Sequence, residues 1–167
     1  MKRRSAFLVA AILVVPMAFG TMTGASALPP GNNGTVKMDG VTLDNDPANE
    51  PHIGCYFEVD FYGYDEGDLE ATATLQLHPP TGGSGIPLVR TVDIGEDAAG
   101  GGTDHDASIL YQTDDLRPWI VANGRPTPHP IQGFHVKLTV NAEGSDGADV
   151  KHKVFWIKCH DNALPGF

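Results

Sequence analysis

The chain is poor in the residue patterns from which most catalytic and metal centres are built. It has two cysteines, Cys55 and Cys159, which do not form a CxxC pair, and this excludes the common cysteine-based zinc and redox motifs. Its seven histidines never occur at the HxH or HExxH spacing that brings two nitrogens to one metal. Ser84 lies between two glycines, but a nucleophile elbow needs a strand followed by a helix, and no helix is predicted here. An enzyme is therefore not expected.

Basic residues are also scarce. Lysine and arginine together number 11 against 21 aspartates and glutamates, and the formal net charge at pH 7 is −10. Three of the basic residues, Lys2, Arg3 and Arg4, stand at the very start, so the rest of the chain is more acidic still. Such a chain repels nucleic acid and anionic membranes, which excludes both as partners, and it makes cations the natural small ligands.

The first residues are typical of a secretory signal peptide. The positive charges at residues 2–4 are followed by an apolar run from Ala6 to Phe19, which is too short to span a bilayer. Ala25-Ser26-Ala27 then provides the pattern of small residues after which signal peptidase cuts. We predict a cleaved signal peptide over residues 1–27, no membrane span after cleavage, and a secreted, extracellular protein that stays at or near the cell envelope.

Beyond residue 30 the chain shows the alternation of apolar and polar residues that is typical of β-strands, most clearly over residues 53–64. Seven or so short strands separated by turns predict an all-β fold, an immunoglobulin-like or transthyretin-like (prealbumin-like) β-sandwich. Residues 28–34 are expected to be an N-terminal extension and residues 35–167 a single domain. The proline-rich stretch over residues 114–131 is expected to be a long loop.

Two predictions concern the end of the chain. Because an isolated pair of cysteines in an oxidising compartment usually forms a bond, we expect a Cys55–Cys159 disulfide. Residues 135–141 are expected to form a hairpin with a returning strand that contains Val150 and Cys159 and is apolar on both faces near its end. In that strand Val150, Val154 and Trp156 have the parity that matches the core residues of the first strand, while Phe155 and Ile157 lie opposite, as in a covered or bulged strand.

Acidic loops offer a candidate metal site. Asp44 and Asp46, with Glu50, supply the hard oxygen ligands that calcium prefers, and they lie between two predicted strands. Residues 65–68 form a second acidic cluster, and a third consists of Glu96, Asp97, Asp104 and Asp106. None of them matches the EF-hand pattern, and ordinary turns use the same residue types, so both interpretations stay open.

A candidate binding face is formed by Tyr56, Tyr62 and Tyr64, which share a strand parity opposite to that of Cys55. Aromatic side chains with polar tips are common in contact surfaces. The alternative is that this face packs beneath a loop or a second sheet, because tyrosine is often half-buried.

Six segments contain distinctive sequences, among them GNNGTVK, PHIGC and GADVKHKVFW: residues 31–37, 39–41, 51–55, 59–63, 133–138 and 147–156. They resemble a family of small secreted actinobacterial proteins, mostly uncharacterised. The resemblance spans nearly the whole chain after the signal and implies export. Some members carry a C-terminal wall-sorting signal. Leu164-Pro165-Gly166 lacks the Thr-Gly that would complete one, so no covalent wall anchor is expected.

These observations favour a non-enzymatic secreted domain that acts by binding an unknown protein or glycan at or near the cell envelope, with no cofactor. A calcium-stabilised extracellular structural domain is the alternative. A small secreted hydrolase is the second alternative, although no nucleophile, base or metal motif can be assembled from the sequence.

Overall fold

The computed structural model of the protein describes residues 34–40, 49–83, 85–98 and 100–159. They form eight strands and one helix: β1 (Thr35–Asp39), β2 (His52–Ile53), β3 (Phe57–Tyr62), β4 (Glu70–Leu77), β5 (Leu88–Asp93), β6 (His105–Tyr111), α1 (Thr113–Ala122), β7 (Phe134–Ala142) and β8 (Val150–Ile157). The predicted signal peptide over residues 1–27 lies outside the described residues. Within them, no helix has the length and hydropathy needed to cross a bilayer.

The strands form two sheets. The smaller sheet has the order β1-β3-β6 and the larger one the order β2-β8-β7-β4-β5. Neighbouring strands run antiparallel except β2 and β8, which pair in parallel over two residues. The prediction of a mostly β fold is therefore confirmed.

The core lies between the two sheets and is clearest in β4 and β7, which bury alternate residues. In β4 every second residue from Ala71 to Leu77 is buried, and the residues between them are partly exposed. β3 contributes Phe57, whose ring stacks on Tyr111 of β6 at 5.0 Å and meets Phe155 of β8 edge-on at 5.8 Å. These aromatic contacts join the small sheet to the large one.

The helix corrects the expectation that residues 114–131 form a loop. Leu116, Trp119 and Ile120 are buried at the spacing of one helix face, and Asp115 caps the first turn by accepting a hydrogen bond from the backbone N–H of Gln112. The indole N–H of Trp119 donates to the carbonyl of Ile86 at 2.8 Å.

The expected Cys55–Cys159 disulfide is present and links positions 104 residues apart. The hairpin of β7 and β8 is also present, but the expected side of β8 was wrong. Phe155 lies opposite Val136 and is buried, as is Ile157, whereas Val150 and Val154 are exposed. The sheet places Lys151 and Lys153 on the inward face instead, because Val140 and Leu138 are their partners in β7.

Candidate anion-binding site

The lysines of the described residues gather in one region of the fold. They lie on β1, β7 and β8, or directly after β8: Lys37, Lys137, Lys151, Lys153 and Lys158. The described ion pairs, Arg90–Asp115 and His105–Asp60, involve none of them. Lys137 alternates with the buried Val136 and Leu138 and so faces outward, whereas Lys151 and Lys153 lie on the inward face of β8.

Two of these lysines can face inward because β8 borders an opening between the sheets. β2 pairs only with Trp156 and Ile157 at the end of β8, so in the described structure the earlier part of β8 has β7 as its strand neighbour on one side only. Lys151 and Lys153 are half-buried there. A lysine on an inward face keeps its ammonium group in water by extending its aliphatic stem towards the nearest opening, and this edge provides one.

The opening holds a cavity of about 370 Å³, lined by Met38, Asn49, Glu50, Pro51, Lys153 and Val154. Lys153 Nζ donates to Asn49 Oδ1 at 2.6 Å. Glu50 Oε2 accepts from the backbone N–H of Gly40 at 3.0 Å. Lys151 Nζ donates to the carbonyl oxygen of Asp146 at 2.5 Å. The two ammonium groups are therefore satisfied by neutral oxygens rather than by carboxylates.

The surroundings of Lys153 favour an anion, although the carboxylate of Glu50 also lines the cavity and is held by the N–H of Gly40. Burial lowers the pKa of Lys153, and the positive charges of Lys37 and Lys151 lower it further. The folded state thus disfavours the charge on Lys153. A bound carboxylate or phosphate would stabilise that charge and reduce the repulsion among the three lysines.

The structure places the predicted calcium ligands in different environments. Asp44 and Asp46 lie outside the described residues, and Glu50 lines the lysine-bearing cavity. In the third acidic cluster, carboxylate oxygens of Asp97, Asp104 and Asp106 lie within 4.8 Å of one another. Glu96 and residues 65–68 do not belong to this group.

The environment of Asp106 is the most constrained of the three. Its Oδ2 accepts from the backbone N–H of Tyr64 at 3.0 Å. Its Oδ1 is buried without a hydrogen-bond partner in the described part of the chain. Burial raises the pKa of Asp106, and the charges of Asp104 and Asp97 raise it further, whereas the Tyr64 hydrogen bond lowers it. The carboxylates of this cluster therefore repel one another.

The three tyrosines do not form a common surface. Tyr56 is 52% exposed, whereas Tyr62 and Tyr64 are fully buried. The hydroxyl of Tyr64 shares a 2.8 Å hydrogen bond with Ser145, which is also buried. Of the three, a ligand on the surface could reach only Tyr56, so the predicted contact face does not exist as one surface.

A polar cluster that the sequence did not indicate lies on the outer face of the small sheet. The hydroxyl of Ser108 donates to Asp60 Oδ1 at 2.7 Å, and His105 Nε2 lies 2.8 Å from the same hydroxyl oxygen. With the hydroxyl hydrogen directed at the carboxylate, the Nε2–H tautomer of His105 donates to Ser108. The hydroxyl of Ser108 thus links Asp60 and His105.

No family model, no curated protein and no solved structure matches this chain.

Proposed function

We propose that the protein is an extracellular binding domain that holds an anionic group of a cell-envelope glycan in the cavity bordered by Lys153. The observation that carries the proposal is that Lys153 lines an open cavity and donates there to the amide oxygen of Asn49, while the positive charges of Lys37 and Lys151 act on it. Like charges repel one another, and a group of positive charges is therefore stabilised when an anion binds.

The ligand class follows from the walls of the cavity. Met38, Pro51 and Val154 offer apolar surface, and Asn49 offers an amide beside Lys153. A volume of about 370 Å³ falls in the range of pockets that take a small molecule, and it suits one unit of a polymer. A sugar or polyol that carries a phosphate or carboxylate combines carbon faces, hydroxyls and negative charge, and so matches all three features.

The proposal also includes the location of the protein and the type of its β fold. We assign the chain to the exported proteins on the strength of residues 1–27, and the Cys55–Cys159 disulfide is consistent with an oxidising compartment. We interpret the two sheets as a β-sandwich of the immunoglobulin-like or transthyretin-like type.

The decisive experiment measures binding of two anionic polymers and one neutral polymer by calorimetry. Poly(glycerol phosphate) and polyglucuronate test phosphate and carboxylate, and dextran is the neutral control. We expect binding to at least one anionic polymer, weakened by added salt, and none to dextran. Anionic binding that is insensitive to salt, or equal binding of dextran, would contradict the proposal.

A pair of variants assigns the site. The double variant Lys151→Gln with Lys153→Gln should lose about tenfold or more in affinity, since a hydrogen bond to a charged group contributes about 1.5–3 kcal/mol. Lys158→Gln removes the same charge from the exposed end of β8 and should change the affinity less than twofold. Because Lys153 is desolvated and repelled, its replacement should not weaken folding, and a thermal melt checks this. Equal losses in both variants would sink the assignment.

The two alternatives stay predictions. A calcium-stabilised domain would melt at a higher temperature with calcium than with EDTA, and an unmoved midpoint would argue against it. A hydrolase would turn over a member of a broad glycoside and ester panel.

A further inference from the structure

Two histidines far apart in sequence bring their ring nitrogens together on the outer face of the large sheet. His78 Nδ1 lies 3.3 Å from His135 Nδ1, although the residues are 57 positions apart. Both nitrogens also approach one backbone oxygen, the carbonyl of Pro79, at 3.1 Å from His78 and 2.5 Å from His135.

The fold holds both rings in place. β4 and β7 are paired so that Leu77 lies opposite Val136, and the backbone N–H of His78 continues that pairing by donating to the carbonyl of His135 at 2.9 Å. The imidazole of His135 stacks on the indole of Trp156 in β8, with ring centroids 4.4 Å apart and planes 25° apart. The imidazole of His78 meets that of His135 at 89°. The two rings are thus fixed by neighbours on both sides.

The three converging atoms need a hydrogen atom or a metal ion between them. Nδ1 of a neutral imidazole is either a donor or an acceptor, and a carbonyl oxygen is an acceptor only. Lone pairs that face each other at 2.5 Å repel unless a proton or a metal ion lies between them. The separation of the nitrogens fits a metal, because two imidazole ligands at about 2.0–2.1 Å from a tetrahedral zinc ion are roughly 3.3–3.4 Å apart.

We propose that His78 and His135 bind one divalent transition-metal ion, of the zinc class, through their Nδ1 atoms. Imidazole is a ligand suited to zinc, copper and nickel. Both side chains are half-buried, so the coordination positions they do not occupy remain open to water or to a group of another molecule. Without the ion, the Pro79 carbonyl accepts a hydrogen bond from Nδ1–H of His135; when the ion binds, that imidazole takes the tautomer with its hydrogen on Nε2. The site is independent of the proposed anion-binding function.

The test is a titration of the untagged, disulfide-bonded protein with Zn²⁺. Calorimetry should show a site of one ion per chain, and the imidazole Nδ1 resonances of His78 and His135 should shift in ¹⁵N NMR spectra while those of His152 do not. His78→Ala and His135→Ala should each weaken the binding at least tenfold. His152→Ala is the matched control, since His152 lies on the same outer face and its Nδ1 is hydrogen-bonded to Thr139.

Each outcome decides the proposal. If zinc binds while both Nδ1 resonances stay unchanged, the ion is bound by carboxylates elsewhere in the protein, and the assignment is wrong. Unchanged affinity in His78→Ala, or no binding to the intact chain, has the same consequence. If His135→Ala disturbs the stack on Trp156 and unfolds the protein, His78→Ala and the NMR shifts of the unaltered chain still give the answer.

Discussion

Asp60 shows how one residue can make the fold sensitive to pH. Its carboxylate is 2% exposed, and its Oδ2 has no hydrogen-bond partner in the described residues. Burial raises the pKa of Asp60, while the hydrogen bond from Ser108 and the charge of His105 lower it in part. The native state therefore binds this proton more readily than the unfolded chain. The stability contributed by the protonated form is lost as the pH rises through the raised pKa.

We expect Asp60→Asn to remove this pH dependence. Relative to the variant, the unaltered protein should have a larger unfolding free energy at a mildly acidic pH than at a neutral one, because the variant has no carboxyl at position 60 to protonate. Burial also raises the pKa of Glu58, with Asp60 as the next cause, so the variant reduces that shift too. Urea unfolding at both pH values measures the effect, with Glu70→Gln as an exposed control. A difference that is equal at the two pH values would refute this prediction.

Gly133 is needed where the loop enters β7. Its φ is +87°, and a Cβ placed there would lie 2.1 Å from the carbonyl oxygen of Ile157. We expect Gly133→Ala to lower the unfolding free energy by at least about 2 kcal/mol, from strained backbone and this clash together. Denaturant unfolding provides the measurement. Gly83→Ala is the control and should shift stability by less than about 0.5 kcal/mol, since a Cβ added at that position would meet nothing within 4 Å.

At the scale of elements, the disulfide connects the segment before β3 to the segment after β8. On the loop-entropy treatment a link across about 100 residues contributes roughly 4–5 kcal/mol. We expect the double variant Cys55→Ala with Cys159→Ala to lose that order of unfolding free energy. Urea unfolding of the variant and of the chemically reduced unaltered protein should agree. A loss below about 1 kcal/mol in both would show that the unfolded chain is not constrained by the link.

The sequence predicted elements wherever the side-chain pattern was unambiguous. The alternation over residues 53–64 found β3, and the alternation around Ala71 and Leu75 found β4. The prediction of which face of β8 is buried was wrong because the valines near the start of the strand are exposed. The pattern alone does not distinguish an exposed valine from a core one. α1 was missed because Pro118 lies within it and only three buried residues mark its face.

The candidate sites were harder to predict than the strands, because their residues are far apart in the chain. Lys37 and Lys153 approach each other only through sheet packing, and the distance between His78 and His135 is set by the register of β4 and β7. Sequence motifs reveal only those ligands that are close together in the chain. The acidic cluster of Asp97, Asp104 and Asp106 was predicted in part because its members lie within ten positions of one another in the chain.

At the scale of the whole molecule, the proposed export leads to one further prediction. The protein recovered from the culture medium should begin at Leu28, because cleavage is expected directly after Ala27. N-terminal sequencing or intact mass spectrometry of the secreted material gives the answer. A secreted form that retains Lys2 would contradict the signal-peptide assignment. The same mass spectrum, before and after thiol alkylation, reports whether both cysteines are oxidised.

The disulfide also determines how the molecule responds to tension. Under a pull applied along the chain ahead of β1 and behind Cys159, the sulfur atoms join Cys159 to Cys55, so the covalent ring between these positions, 104 residues apart, cannot be pulled open. Only β1 and β2 of the described strands lie outside the ring, and they would detach first, β1 by sliding past β3 against their shared hydrogen bonds. A domain held this way at a surface exposed to flow could be stretched by a few strands' length and no further while the bond persists.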